Sequence, residues 1–428
     1  MVLIKKIKSL IRRDEYIKNF LTLFSGTAFV QILPFFTAPI TTRIYDPQDY
    51  GYTAMYAAVV GLFTLFISSH YVHFIMLSKR MKDIVNIFIL TLFIAVIVTA
   101  ILTILVFIIP KPFLTGILDD NYFFFLYFLP ISVFLNGFGS VLGIWNNKMG
   151  KYKLMASIKI FDAVFSIVVV IGIGILIDGP YGLFIAIITG PLISSSINIA
   201  SFLRNDSKYL KLVSSNWIRK LVIREIRYAI YIFPGDLINK YINLLPLFII
   251  EFLGGKVSLG NYQFSQRILG LPINFVGTAV LEVFRKKAID DYNSYGNCIS
   301  IFKKTFSMLS LLSLLPTLTL MFFAPEIFEF VFGDKWYGAG RITQALSILY
   351  FFKMVASPLS YMYYVVRRTK EDLITQICLV VFNLSALAVG YFYFKDVFTM
   401  VLLYALSYSG IYIIQLIRSY QFAKGTVK

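Results

Sequence analysis

Apolar residues in this chain gather into long runs separated by short polar segments. The runs cover 19–42, 51–76, 84–109, 122–145, 154–177, 181–203, 228–250, 268–284, 305–324, 343–366, 373–394 and 397–417. A helix needs roughly 20 apolar residues to cross a bilayer. The pattern therefore predicts an all-α integral membrane protein of about twelve transmembrane helices. The eighth run is short, and the fourth contains Pro130. The basic N-terminus, MVLIKKIKSLIRR, leads straight into a full span with no small-residue cleavage site. A retained helix is expected there, and no signal peptide.

Charge gives the runs an orientation. With the N-terminus in the cytoplasm, the cytoplasmic segments hold 30 Lys and Arg and the outside loops seven; Lys159, Lys240 and Lys353 fall inside spans. Acidic residues divide evenly, ten and ten, with Glu282 counted at the cytoplasmic end of its run and Asp162 and Asp236 in spans. A basic bias without an acidic one is what the positive-inside rule describes, and it places both termini in the cytoplasm. The net charge of +18 is then a record of topology and not a nucleic-acid footprint. A lipid-binding role for the basic 204–227 loop is a second reading.

Composition agrees with this. The 428 residues are 58% hydrophobic and 14% charged, with a mean hydropathy of +0.77. A soluble domain needs about 25% charged residues to cover its surface. The 42 Phe and 28 Tyr suit lipid contact and interfacial belts. Cys298, in a predicted cytoplasmic loop, and Cys378, inside a run, suggest no disulfide framework.

The chain also repeats itself. DPQDYGYTAMY (46–56) follows the first run, and KVSLGNYQFSQ (256–266) follows the seventh. PFLTGILDDNY (112–122) and PEIFEFVFGDKWY (325–337) match in the same way, as do NNKMGKYK (146–153) and VRRTKEDL (366–373). The offset drifts from 209 (Gly51 to Gly260) to 214 (Asp120 to Asp334). Six spans per repeat keep one orientation, so an axis along the membrane normal should relate two six-helix lobes, with a substrate path between them. The expected organisation is a basic N-terminus (1–18), an N-lobe (19–203), a linker (204–227), a C-lobe (228–417) and a tail (418–428).

TTRIYDPQDYG (41–51), NKMGKYKLMAS (147–157), IFPGDLINKYINLL (232–245), LGNYQFSQRILGL (259–271) and FFAPEIFEFVFGDKW (322–336) occur in an order that covers nearly the whole chain. In this the sequence resembles the polysaccharide flippases, or O-antigen translocases, of the multidrug/oligosaccharidyl-lipid/polysaccharide exporter superfamily. The resemblance implies alternating access about a central cavity in the inner membrane. It also implies a polyprenyl-diphosphate-linked oligosaccharide as substrate, the repeat unit of O-antigen or another surface polysaccharide. A polysaccharide polymerase and chain-length machinery are further candidate partners. Lipid II flippases, distant relatives, carry arginines within the first span; here the first run, 19–42, has no charge before Arg43.

An ionisable group inside a span costs about 2.5–3.5 kcal/mol on insertion scales, so each needs a reason. Asp236 and Lys240 in the seventh run are four residues apart, on one helix face, after Pro234-Gly235. They read either as a diphosphate contact with a regulating carboxylate or as a self-neutralising pair. Lys353 has no acidic neighbour in its run; it reads either as a second candidate contact or as a partner of Asp236 across helices. Arg43 and Arg267, at the expected outer ends of the first and eighth runs, are candidates for an outer gate or a phosphate clamp, or are interfacial anchors. Lys159 and Asp162 read as a snorkelling, paired set. Tyr262, Gln263 and Gln266 offer weaker sugar contacts, and His70 and His73 read as polar helix-end residues rather than metal ligands. No GxSxG, HExxH or P-loop is present, so no catalytic residue, metal or cofactor is expected. Two rival functions are a drug/cation antiporter of the same superfamily and a membrane polysaccharide polymerase or glycosyltransferase. Mid-span lysines weigh against the first, and the short outer loops against the second.

Overall fold

The computed structural model describes residues 15–68, 71–111 and 117–425; the side chains of 15–25, Thr27, Ser68, His73, 227–243 and Thr369 lie outside the described residues. Among the described residues every regular element is helical. In chain order these are α1 (Glu15–Ile44), α2 (Pro47–Ser68), α3 (Val72–Leu77), α4 (Met81–Ile108), a 3-10 turn (Asp120–Phe128), α5 (Leu129–Lys148), α6 (Tyr152–Leu176) and α7 (Tyr181–Asn205). A second 3-10 turn (Ser207–Leu212) leads into α8 (Ser215–Pro272), which is interrupted at Gly255. A π-turn (Ile273–Gly277), α9 (Thr278–Tyr295), α10 (Ile299–Phe332), α11 (Tyr337–Leu359), α12 (Met362–Val365), α13 (Thr369–Val389) and α14 (Val397–Ala423) complete the chain.

Ten stretches among the described residues are long and apolar enough to cross a membrane, and α1, at 30 residues, carries the first predicted run. Large apolar side chains stay on the outside of the helices: Leu176 is 81% exposed, Leu315 73% and Phe330 88%. Water would penalise such a surface and hydrocarbon does not, so lipid is the solvent this fold expects.

Two boundaries differ from the sequence reading. The eighth span does not begin near 268. Helix resumes at Lys256, directly after Gly255 (φ 69°), so the polar stretch 256–267 is helical. Its low hydropathy has a packing cause. Asn261 and Ser265 are buried, and the Ser265 hydroxyl donates to the Ala339 carbonyl at 2.7 Å. Arg267 accordingly stands three turns inside a helix, about 16 Å past its start at 1.5 Å per residue, and not at a span end. The second run is also broken, since α2 ends at Ser68 and α3 begins at Val72.

The chain packs as two units, Met1–Tyr45 with Tyr52–Leu245, and Asp46–Gly51 with Pro246–Lys428. The division falls within α8 and not in 204–227.

In the first unit, α6 packs on α1 and α7, while α5 packs on α4 and α7. Phe88, Trp145 and Phe202 stack at the centre, with Trp145 fully buried. The 204–227 segment is anchored here. The Trp145 indole donates to Asp206 at 2.8 Å, and Lys151 pairs with the same carboxylate. Asn86, fully buried, donates to the Leu212 carbonyl at 3.0 Å and accepts from the Ser214 N–H at 2.8 Å. Trp217 donates to Asp83 at 2.7 Å. Asn86→Leu strands the Ser214 N–H and the Leu212 carbonyl together. It should lower unfolding stability by about 1–3 kcal/mol, read as a fall in melting temperature of the purified protein.

In the second unit, α11 packs on α10 and α14, and α13 on α14. The hexapeptide 46–51 docks in this unit. A Cβ on Gly51 would lie 1.9 Å from the Lys256 carbonyl oxygen, and one on Gly260 would lie 1.7 Å from that of Pro47. The two contacts are reciprocal at the 209-residue offset of the repeat, as two copies of one motif make across a local twofold. Tyr50 fits beside them against Phe264 and Trp336, with ring centroids 5.7 and 5.1 Å away.

Asp396 caps α14. Its carboxylate accepts from the Thr399 N–H at 2.8 Å and the Thr399 hydroxyl at 2.7 Å. The backbone bond, then the hydroxyl, holds this carboxyl below its ordinary value. A group depressed on folding stabilises above its unfolded pKa, about 3.9, and its contribution fades as pH falls through the folded value. Asp396→Ala should therefore destabilise by about 1 kcal/mol at neutral pH. The difference should shrink in melts taken at pH values below the ordinary carboxylate range.

Candidate functional site

The polar interior of the second unit is built on three helical segments. Residues 256–272 contribute Tyr262 and Gln266, α11 contributes Tyr350 and Lys353, and α14 contributes Tyr404, Tyr408 and Tyr412. The last three recur every four residues, which puts them on one helix face. Their rings follow one another at 5.6 and 5.1 Å. Gln266 donates to the Tyr262 hydroxyl at 2.6 Å. Tyr262 also bonds Tyr404, and Tyr408 bonds Tyr412. Burial forces these bonds, because a phenol hydroxyl withdrawn from water needs a partner.

Lys353 lies half-buried at this interior, its ammonium 5.3 Å from the Tyr350 ring centroid. It forms no ion pair with a carboxylate among the described residues. A π-face is a weak substitute for a counter-ion. The arrangement is thus a cation beside one phenol ring in a unit with a tyrosine-lined interior, with a charge that an incoming anion would balance. Both amide atoms of buried Asn383 and the Ser407 hydroxyl, in the same unit, also have no partner among the described residues.

The other sequence candidates are dispersed. Arg43 is exposed in the last turn of α1, where a cation suits the helix C-terminus. Arg267 is exposed one residue beyond Gln266. Asp236 and Lys240 sit on continuous helix within α8, so their four-residue spacing holds, but their side chains lie outside the described residues. His70 and the His73 side chain lie outside them too. Lys159 and Asp162 line a cavity in the first unit. Tyr350, Tyr404, Tyr408 and Tyr412 were not singled out by sequence. The four-residue spacing in YALSYSGIY was their signal, and it reads equally as an interfacial belt.

Among the described residues no group of three or more His, Cys, Asp or Glu side chains is placed to hold a metal. Cys298 is buried, and burial pushes its thiol up to about 12, so it stays protonated and inert.

The described residues form an all-helical protein of two units, with ten stretches long and apolar enough to cross a membrane. The chain belongs to the polysaccharide biosynthesis protein family, whose model matches residues 40–340. No curated protein matches the sequence significantly. Solved structures match nearly end to end. An inward-facing multidrug resistance MATE family transporter of the MOP superfamily is 13% identical, with 93% of each chain covered and a TM-score of 0.65. The lipid II flippase MurJ, inward closed, is 14% identical over 94% of this chain and 90% of its own, with a TM-score of 0.63. A MOP superfamily transporter from Pyrococcus furiosus, described as having a binding pocket of reverse polarity, is 14% identical over 94% and 95%, with a TM-score of 0.58. At such identities the likeness establishes a fold shared with these proteins.

Proposed function

We propose that this protein is a flippase that moves a polyprenyl-diphosphate-linked oligosaccharide from the cytoplasmic to the periplasmic face of the inner membrane. Two six-helix lobes would alternate access to the substrate. The observation that carries the reading is Lys353, a cation in a membrane-spanning helix with no carboxylate to neutralise it among the described residues. An interior of that sign favours an anionic headgroup, and a diphosphate offers charge-assisted bonds to ammonium and phenol together. Membership of a polysaccharide biosynthesis family supports the same substrate class. Lys240, with Asp236 as its regulating partner, is a second diphosphate contact; Arg43 and Arg267 are candidate phosphate holders nearer the surface.

Deletion in the native host should abolish surface polymer and leave lipid-linked repeat units on the cytoplasmic face. Repeat units that still reach the outer face unpolymerised would transfer the function to polymerisation. Reporter fusions after residues 80, 150, 215, 295 and 370 should all report cytoplasm. A drug/cation antiporter remains the second reading because Asp162 lines a cavity of the first unit. It requires drug sensitivity, with normal surface polymer, in the same deletion strain.

A further inference from the structure

The first unit contains a cavity whose described lining includes neither Arg43 nor Lys353. It encloses about 220 Å3 between α5, α6 and α7, and Asn136, Lys159, Asp162, Ser194 and Asn198 supply its polar lining. Its donors and acceptors are unevenly spent. Asn198 is committed on both sides, accepting from Asn146 at 2.6 Å and donating to the Ser194 carbonyl at 2.8 Å. Asn136 donates to the Ser132 carbonyl at 2.8 Å, which leaves its own amide oxygen without a donor among the described residues. Asp162 receives a single long bond, 3.4 Å, from the Ser166 hydroxyl. Two acceptors therefore face the cavity underused. Gly143 keeps it open, because a Cβ there would meet nothing within 4 Å.

The charges select the ligand. A bare anion would meet the Asp162 carboxylate, and a bare cation the Lys159 ammonium. A neutral molecule dense in hydroxyls meets neither objection. It can donate to Asp162 and Asn136, while its C–H faces lie on the aliphatic walls; the Ser194 hydroxyl is already committed, donating to the Pro191 carbonyl at 3.1 Å. The volume suits one ring rather than a chain of rings. We propose that this cavity binds a single sugar ring of the lipid-linked glycan. The assignment rests on the flippase reading and gives it a sugar-recognition site in the first unit.

Binding to the purified full chain in nanodiscs tests this. The probes are the lipid-linked repeat unit extracted from a polymerase-deficient host and sugar-free undecaprenyl diphosphate. Wild type should prefer the glycosylated lipid by about tenfold, equivalent to 1.4 kcal/mol. Gly143→Leu, which fills the cavity, and Asp162→Asn, which keeps its shape, should each erase that preference and leave the bare lipid bound as before. Equal affinity of wild type for the two lipids, or variants that keep the preference, would overturn the sugar site and leave the flippase reading standing. Wild type that binds neither lipid would overturn the flippase reading itself. Melting temperatures in NaCl and KCl provide a third arm. A sodium-specific rise in wild type that Asp162→Asn removes would make the cavity a cation site and overturn the sugar assignment.

Discussion

Lys353→Met should lower transport by about 100-fold while raising stability. The first effect follows if the ammonium bonds a phosphate oxygen in a site with little water, where losing a charge-assisted bond costs about 3 kcal/mol, or a little over two decades in rate. The second follows from the same charge in the empty protein. An ammonium inside a span with only a π-face beside it is expensive to bury, and a thioether of similar length is not. A gain of about 1–3 kcal/mol is expected. Lys353→Arg should retain part of the activity, since the charge stays and the geometry changes. Surface polymer, membrane protein level and melting temperature should be measured in the same strains. The opposite signs separate a functional lysine from a structural one, because removing a structural cation would lower both quantities. Full polymer from a well-expressed Lys353→Met protein would falsify the contact.

Gly260→Val should disrupt the second unit. Its Cβ would have to occupy space 1.7 Å from the Pro47 carbonyl oxygen, and the obstacle is backbone, which has no rotamer by which to move aside. Gly51→Val meets the Lys256 carbonyl in the same way at 1.9 Å. Overpacking typically costs about 1–3 kcal/mol where side chains can yield, so about 3 kcal/mol or more is expected here. Each variant should show a lowered melting temperature and reduced membrane level. Gly172→Ala is the control. Its Cβ meets nothing within 4 Å, so it should be neutral or stabilising by about 1 kcal/mol, the helix-propensity difference. A Gly260→Val protein as stable as wild type would mean that the 46–51 docking contributes nothing to the fold.

The Gly51 and Gly260 pair shows how far sequence alone reached. Both glycines were visible as matching features of a repeat at an offset of 209. Their reciprocal contact was not, because a repeat fixes correspondence and says nothing of which copy touches which. The stretch 256–267 shows a reading that failed for a physical reason. Hydropathy treats Asn261 and Ser265 as loop residues, and only the hydrogen bond to the Ala339 carbonyl reveals that they are helical and buried. Segment 204–227 misled in the same sense, since Asn86 and Asp83 hold it from more than 120 residues away.

At the candidate site, Lys353 was legible by itself, because a charge in an apolar run is anomalous wherever the run folds. The tyrosine cluster of the same unit was not, for Tyr262, Tyr350 and Tyr404 come from three distant segments whose meeting no local pattern encodes. What the chain determined by itself is its solvent, its helices and the rarity of its buried charges, because bilayer thickness and the cost of burying charge act on each segment independently. What only the tertiary structure decided is which polar atoms satisfy one another and which are left over. Among the described residues Asn198 is spent on both sides and the Asn136 amide oxygen is not; Asp206 has Lys151, and Lys353 has a tyrosine face and no carboxylate. Pairing depends on distances across helix interfaces, and those are set by packing between segments far apart in sequence.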